Sequence, residues 1–237
     1  PMERLAIEAR INLADSLIKI KKNYPQTSLN WQNISQILAD ALQQSKNLQD
    51  WRSQSYALGK LGSLYEAAKQ YPEAREVTEK ALTLAQAIKA SDIAYQWQWQ
   101  LGRLYNNLGE KESAIASYTT AVKTLDAVRQ NLAGIDPEAQ FSFRDDVEPV
   151  YRELVDLLLQ PEPGENEPSQ ENLKKAIAQI DGLQLAEIEN FLRCNLSEVV
   201  NLNQIIDPQA AIIYPIILEN RLAVIWQIPG QPMKYHQ

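Results

Sequence analysis

Cys194 and His236 are the only cysteine and the only histidine in this 237-residue chain, and the two side chains best suited to nucleophilic and acid–base work. A thiolate activated by an imidazole would make a cysteine hydrolase, but such a pair needs a group to orient the ring and donors for the oxyanion. The flanking residues supply neither. Cys194 lies in FLRCNL at 191–196 with apolar neighbours Phe191 and Leu192, and reads as a helix residue; His236 follows the turn PGQP, one residue from Gln237. One cysteine and one histidine do not fill a tetrahedral zinc site, and neither HExxH nor CxxC spacing occurs. The carboxylates Asp145, Asp146 and Glu148, and Glu162, Glu165 and Glu167, are neighbours along the chain and read as solvated faces of a helix start and a linker. A glycine-rich phosphate loop is missing as well. The expectation is no catalytic residue, no metal and no cofactor.

The remaining chemistry is recognition, and it depends on how helices place a few side chains. LGSLYEAAKQYPEA at 61–74 is answered by LGRLYNNLGEKESA at 101–114, an offset of 40 residues. Leu61-Gly62 aligns with Leu101-Gly102, Tyr65 with Tyr105, Ala74 with Ala114, Thr78 with Tyr118, and Ala81-Leu82 with Ala121-Val122. Glycine inside a helix costs about 1 kcal/mol against alanine, so Gly62 and Gly102 predict close helix–helix approach. Leu61, Leu101, Tyr65, Tyr105, Ala81 and Ala121 are expected to be buried around them. Turns fall at Gln70-Tyr71-Pro72 and Leu108-Gly109-Glu110, with Pro72 opening a helix. The register continues backwards to Ala41-Leu42, so WQNISQILADALQQSK (31–46) is a second helix of an earlier pair, whose first helix is EARINLADSLIKI (8–20).

These helix pairs resemble tetratricopeptide repeats, which stack into a right-handed α-superhelix and are recognised by such self-similarity. The usual unit is about 34 residues, so pairs offset by 40 imply longer helices. The pattern departs at its aromatic start, where Leu58 and Gln98 stand. Three units, the first irregular, cover 1–133. The resemblance implies that first helices line a concave face, placing there Tyr56, Ser63 and Glu66, then Gln96, Trp99, Arg103, Asn106 and Asn107. Tryptophan and arginine often dominate interface energy, which makes this a surface for a protein or peptide ligand. A plainer division is that one of Trp97 and Trp99 packs between helices while the other is half covered.

Lysine and arginine number 23 against 30 aspartate and glutamate, a formal charge of −7. That opposes nonspecific nucleic-acid binding, which needs a basic patch. No apolar run reaches the roughly 18 residues of a membrane span, and 1–30 lack a signal-peptide core. A lone cysteine forms no internal disulfide, and a cytoplasmic setting is the expectation.

After Arg129 the register breaks at AGIDP (133–137). RDDVEPVYRELVDLLLQP (144–161) predicts a helix with Val147, Val150, Tyr151, Leu154, Leu157 and Leu158 on one stripe, starting or kinking near Pro149. The acidic, proline-rich PEPGENEPS (161–169) predicts a loop, and 134–168 forms a connecting section. Ser169 caps a following helix that Asp181-Gly182 bends or divides. AIIYPIIL (211–218) and LAVIWQI (222–228) read as a β-hairpin, with MKYHQ as a short third run. So few strands leave an uncovered edge, and the chain is expected to end inside a domain. YRELVDLLLQP, LQLAEIENFLRCNL and AAIIYPIILENRLAVIWQIPG together resemble the N-terminal part of a CHAT domain over about 140–237. CHAT domains are caspase-like modules that follow tetratricopeptide repeats, frequent in cyanobacteria and other bacteria. The resemblance implies a mainly α chain ending in a truncated α/β caspase-like domain at 169–237, with any His–Cys pair on later strands. Three functions stay open: a scaffold whose repeats hold a partner, or the chain's own downstream domain; a regulatory part of a cysteine peptidase; and a self-association module that dimerises through the strand edge.

Overall fold

From α2 onward a new helix begins every twenty residues. In the computed structural model, which describes residues 2–135, 143–192 and 210–237, these are α2 Trp31–Asn47, α3 Trp51–Ala67, α4 Tyr71–Ala87, α5 Ser91–Asn107 and α6 Lys111–Ile135. They follow α1, Met2–Asn23, which is longer than the expected 8–20.

The constant spacing comes from one turn used four times. Gln49, Lys69, Lys89 and Gly109 all take left-handed backbone, with φ of 53°, 61°, 54° and 78°. In each turn the next residue's N–H reaches back to a carbonyl five positions earlier: Asp50 to Ser45, Gln70 to Tyr65, Ala90 to Ala85 and Glu110 to Tyr105, at 2.8–2.9 Å. This Schellman closure satisfies carbonyls that a helix end leaves orphaned. Side-chain caps secure some starts: Asp50 accepts from Ser53 N, and Asn30 from Gln32 N.

Second helices bury one narrow stripe, at the same four places in each unit: Ile34, Leu38, Ala41 and Ser45 in α2; Ala74, Thr78, Ala81 and Ala85 in α4; Ala114, Tyr118, Ala121 and Leu125 in α6. First helices bury more of their circumference, because α3 touches α1 and α5 as well as α2 and α4. Small residues make this possible. A Cβ on Gly62 would lie 2.2 Å from Thr78 Oγ1 and 2.5 Å from Gln100 Nε2; on Gly102, 2.7 Å from the Tyr118 ring. The predicted close approach is therefore present, with Thr78 and Gln100 against Gly62 and Tyr118 against Gly102. Leu101, Ala81 and Ala121 are buried as expected, whereas Leu61, Tyr65 and Tyr105 are only half-buried. Tyr105 keeps its hydroxyl at the rim, where it donates to Glu79 Oε1 at 3.0 Å; a phenol needs a polar outlet for its O–H.

The chain divides into two compact units, 1–125 and 126–237. In the second, a π-helical turn over Phe143–Val147 precedes α7, Glu148–Leu158, with Pro149 in its first turn as anticipated. All six residues of the predicted stripe, from Val147 to Leu158, are buried. Residues 161–169 are loop, and Ser169 Oγ accepts from Asn172 N at 3.1 Å. α8, Gln170–Leu192, runs through Asp181-Gly182 undivided, since α-helix tolerates glycine at modest cost when its neighbours hold it. Strands β1 Ile212–Ile217, β2 Leu222–Gln227 and β3 Lys234–His236 form one antiparallel sheet in the order β1-β2-β3. Ile216, Leu218, Ala223, Ile225, Met233 and Tyr235 face inward and are buried. Gln170 ties the sheet to α8, its carboxamide donating to Met233 O at 2.8 Å and accepting from Met233 N at 2.9 Å. Arg221 does the same for α7, at 2.8 Å from Asp156 Oδ1.

Candidate functional site

Three of the eight sequence-selected residues converge. Arg103 on α5 reaches Glu66 on α3 through two nitrogens, Nε at 2.8 Å and a terminal nitrogen at 3.2 Å, and its guanidinium lies 4.7 Å over the Trp99 ring. Fork-like pairing fixes the plane of an arginine, and the ring beneath fixes its height. Trp99 and Arg103 are both half-buried. Trp97, two residues earlier, is buried, and its Nε1 donates to Ser55 Oγ at 3.0 Å. The two tryptophans thus divide as the plainer reading expected, one for the core and one half covered.

The other selected residues lie around this cluster in varied roles. Ser63 Oγ donates to Gln100 Oε1 at 2.7 Å. Gln96 Nε2 donates to Asp92 O at 3.2 Å, and Asn107 Nδ2 to Arg103 O at 2.9 Å. Asn106 is exposed at the end of α5. Tyr56 is half-buried, edge-on to Trp97 with ring centres 6.1 Å apart and Arg52 5.8 Å from its own ring. Burial pushes its phenol above the ordinary range, against the opposing pull of Arg52. Arg52 in turn bonds Asp92, which raises its already high pKa.

Beneath the surface runs a polar seam that pattern reading missed. Gln100, 2% exposed, donates to Gly59 O at 3.1 Å and to Thr78 Oγ1 at 2.7 Å. Thr78 passes its own hydroxyl to Ala74 O, and Ser55 donates to Ala81 O, both at 2.7 Å. Every partner is satisfied, so the seam fixes how α3, α4 and α5 seat on one another. Its one sequence signal was Gly59 and Gly62 on α3, which admit Trp97 and Gln100.

Cys194 lies outside the described residues. His236 is exposed on β3, opposite Val224. Among the described residues, no group of three or more His, Cys, Asp or Glu side chains is placed to hold a metal ion. No helix among them is long and apolar enough to cross a membrane.

The periodic turns, glycine contacts and stripes meet a direct match: the family profile of the tetratricopeptide repeat fits residues 55–88 and 98–124. Over those two segments the chain carries tetratricopeptide-type repeats. Among solved structures, the TPR domain of Arabidopsis FLU is 15% identical, with a TM-score of 0.46 over 53% of this chain and 98% of that one. BtubC (BKLC) from P. vanneervenii is 15% identical, TM-score 0.43, over 81% of this chain and 84% of that one. The de novo designed helical repeat protein DHR64 is also 15% identical, TM-score 0.39, over 81% and 97%. No curated protein matches the chain.

Proposed function

We propose that the first helices of the repeats form the concave face of a protein–protein interaction scaffold and hold an extended protein segment across Trp99, Arg103 and Glu66. The observation that carries this is the pinned Trp99–Arg103–Glu66 cluster, spanning two repeats. Ordering long side chains on binding costs about 0.5–1.5 kcal/mol each; here that ordering is already done. A segment would stack an apolar or aromatic side chain beside Trp99. Asn106, Asn107 and Gln96 would serve its backbone, because a carboxamide presents the donor and acceptor of a peptide group. Tyr56 and Ser63 border the same face. Fluorescence-polarisation binding to a degenerate peptide library tests this: ligands selected on the wild type should weaken at least tenfold on Trp99→Ala and on Arg103→Ala. Unchanged affinity on both would refute the placement.

A second reading, favoured by the sheet, concerns the other unit. Helices α7 and α8 accompany a sheet whose outward residues Ile213, Ile217 and Leu222 are exposed though apolar. That supports 169–237 as the N-terminal part of a caspase-like α/β domain, which the repeats would position, with no catalysis by this chain itself. A parent polypeptide with a His–Cys pair on later strands should then cleave fluorogenic peptides at a rate indifferent to Cys194→Ala. Loss of that rate would contradict the assignment.

A further inference from the structure

The stripe that carries Trp99, Arg103 and Glu66 recurs on two helices. Steps of four, three, four and three residues run from Arg52 to Glu66 on α3 and, forty residues on, from Asp92 to Asn106 on α5. That is the spacing of one helix face. Its charged members pair across the two helices. Arg52 donates to Asp92 through both terminal nitrogens, and Arg103 donates to Glu66. At the margin, Lys60 lies 2.8 Å from Asp15 of α1. Between the two pairs the stripe holds no charge: Tyr56, Gly59 and Ser63 on α3, Gln96 and Trp99 on α5. It therefore sums to zero in a chain of formal charge −7.

We propose that the segment held here is itself uncharged where it crosses this stripe, with an aromatic or branched aliphatic side chain against Trp99; this rests on the binding face proposed above and names its ligand class. A ligand carboxylate reaching Arg103 competes with Glu66, and a ligand ammonium reaching Glu66 competes with Arg103. Of the two pairs this is the less accessible, its side chains 18% and 29% exposed against 43% and 49% for Asp92 and Arg52. The displaced partner is then left desolvated beneath the ligand, which offsets the new attraction. A charged segment also meets its own sign: acid faces Glu66 and Asp92, base faces Arg103 and Arg52. A neutral segment meets neither penalty. It buries apolar surface on Trp99 and Tyr56, and its backbone bonds the uncharged polar groups of Ser63 and Gln96.

Three labelled decapeptide pools with blocked termini test this by fluorescence polarisation on the whole chain. One contains neutral residues only, one is enriched in Asp and Glu, and one in Lys and Arg. The neutral pool should yield the ligands, and their affinity should change less than twofold between about 50 and 500 mM NaCl, since screening has little to act on. Glu66→Gln, with helix content shown to be unchanged, releases Arg103 from its carboxylate and should raise the affinity of the acidic pool at least tenfold, with no gain for the basic pool. Ligands drawn from a charged pool, weakening steeply with salt yet lost in Trp99→Ala, overturn this inference and leave the binding face standing. So does an acidic pool that gains nothing from Glu66→Gln. Ligands indifferent to both Trp99→Ala and Arg103→Ala, or a chain that binds no pool, overturn the face itself.

Discussion

Replacing Gly62 by alanine tests the packing logic of the repeats most sharply, because helix propensity and close contact predict opposite signs. Propensity alone favours alanine by about 1 kcal/mol in a helix interior. The added Cβ, however, would meet Thr78 Oγ1 at 2.2 Å, Gln100 Nε2 at 2.5 Å and Ala74 O at 3.3 Å. Overpacking of this kind costs about 1–3 kcal/mol. Displacing Gln100 also strands a buried donor or acceptor, at about 1–3 kcal/mol. The balance is a loss of about 3 kcal/mol, taking the middle of each range. Gly109→Ala is the control: its Cβ meets nothing within 4 Å, but its φ is +78°, so it should lose only about 1 kcal/mol. Urea denaturation followed by circular dichroism gives both values, with unchanged slopes showing that the unfolded state is the same. Should Gly62→Ala be neutral or stabilising, or cost less than Gly109→Ala, close approach is not what keeps glycine there.

The turns offer the reverse experiment. Lys89 holds left-handed backbone at φ 54°, where a side chain costs about 1–2 kcal/mol and glycine costs only its entropy, about 0.5–1 kcal/mol; Lys89→Gly should raise stability by about 0.5–1 kcal/mol in the same denaturation assay. Burial pushes the Asp15 carboxyl up, but Lys60 at 2.8 Å and Lys19 at 3.0 Å outweigh it and hold its pKa below the ordinary value. Its stabilising contribution is thus complete above the unfolded pKa of about 4 and is lost as pH falls through the lower folded pKa. Asp15→Asn should therefore be less stable than wild type at neutral pH and lose less on acidification, a difference that pH-resolved melting would read. Gln170→Ala removes both bonds to the Met233 backbone and should cost about 1–3 kcal/mol, with hydrogen exchange quickening at β3 before it does in α7; uniform exchange would argue against that tie.

What could be read ahead of the structure was whatever repeats or alternates. Leu-Gly and Ala pairs offset by forty residues revealed the helix pairs, and the β-branched runs at 211–228 the hairpin. The twenty-residue beat of single helices was harder to see. Its turn needs left-handed backbone, and three of the four turns use Gln49, Lys69 and Lys89 where glycine would have signalled it. Trp31, Trp51 and Tyr71 opening three successive helices were the remaining trace. Half-burial of Tyr65 and Tyr105 was missed for a different reason: residue type reports apolar area, whereas a phenol's hydroxyl decides how deep the ring sits. At the candidate site, Trp99, Arg103 and Glu66 could be chosen by type and helix, but their mutual contact depends on how two repeats stack. The Gln100 seam left no periodic mark, because the aligned position in the preceding unit is Lys60.

The central claim, that the repeats hold a protein segment at the Trp99–Arg103 cluster, is tested most directly by mapping one selected peptide ligand with amide and indole NMR. The account predicts that the Trp99 indole and the Asn106 and Asn107 side-chain amides shift on titration while the buried Trp97 indole stays in place, and that Arg103→Ala abolishes those shifts. Saturable binding that moves α7, α8 or sheet resonances and leaves Trp99 unmoved would contradict it.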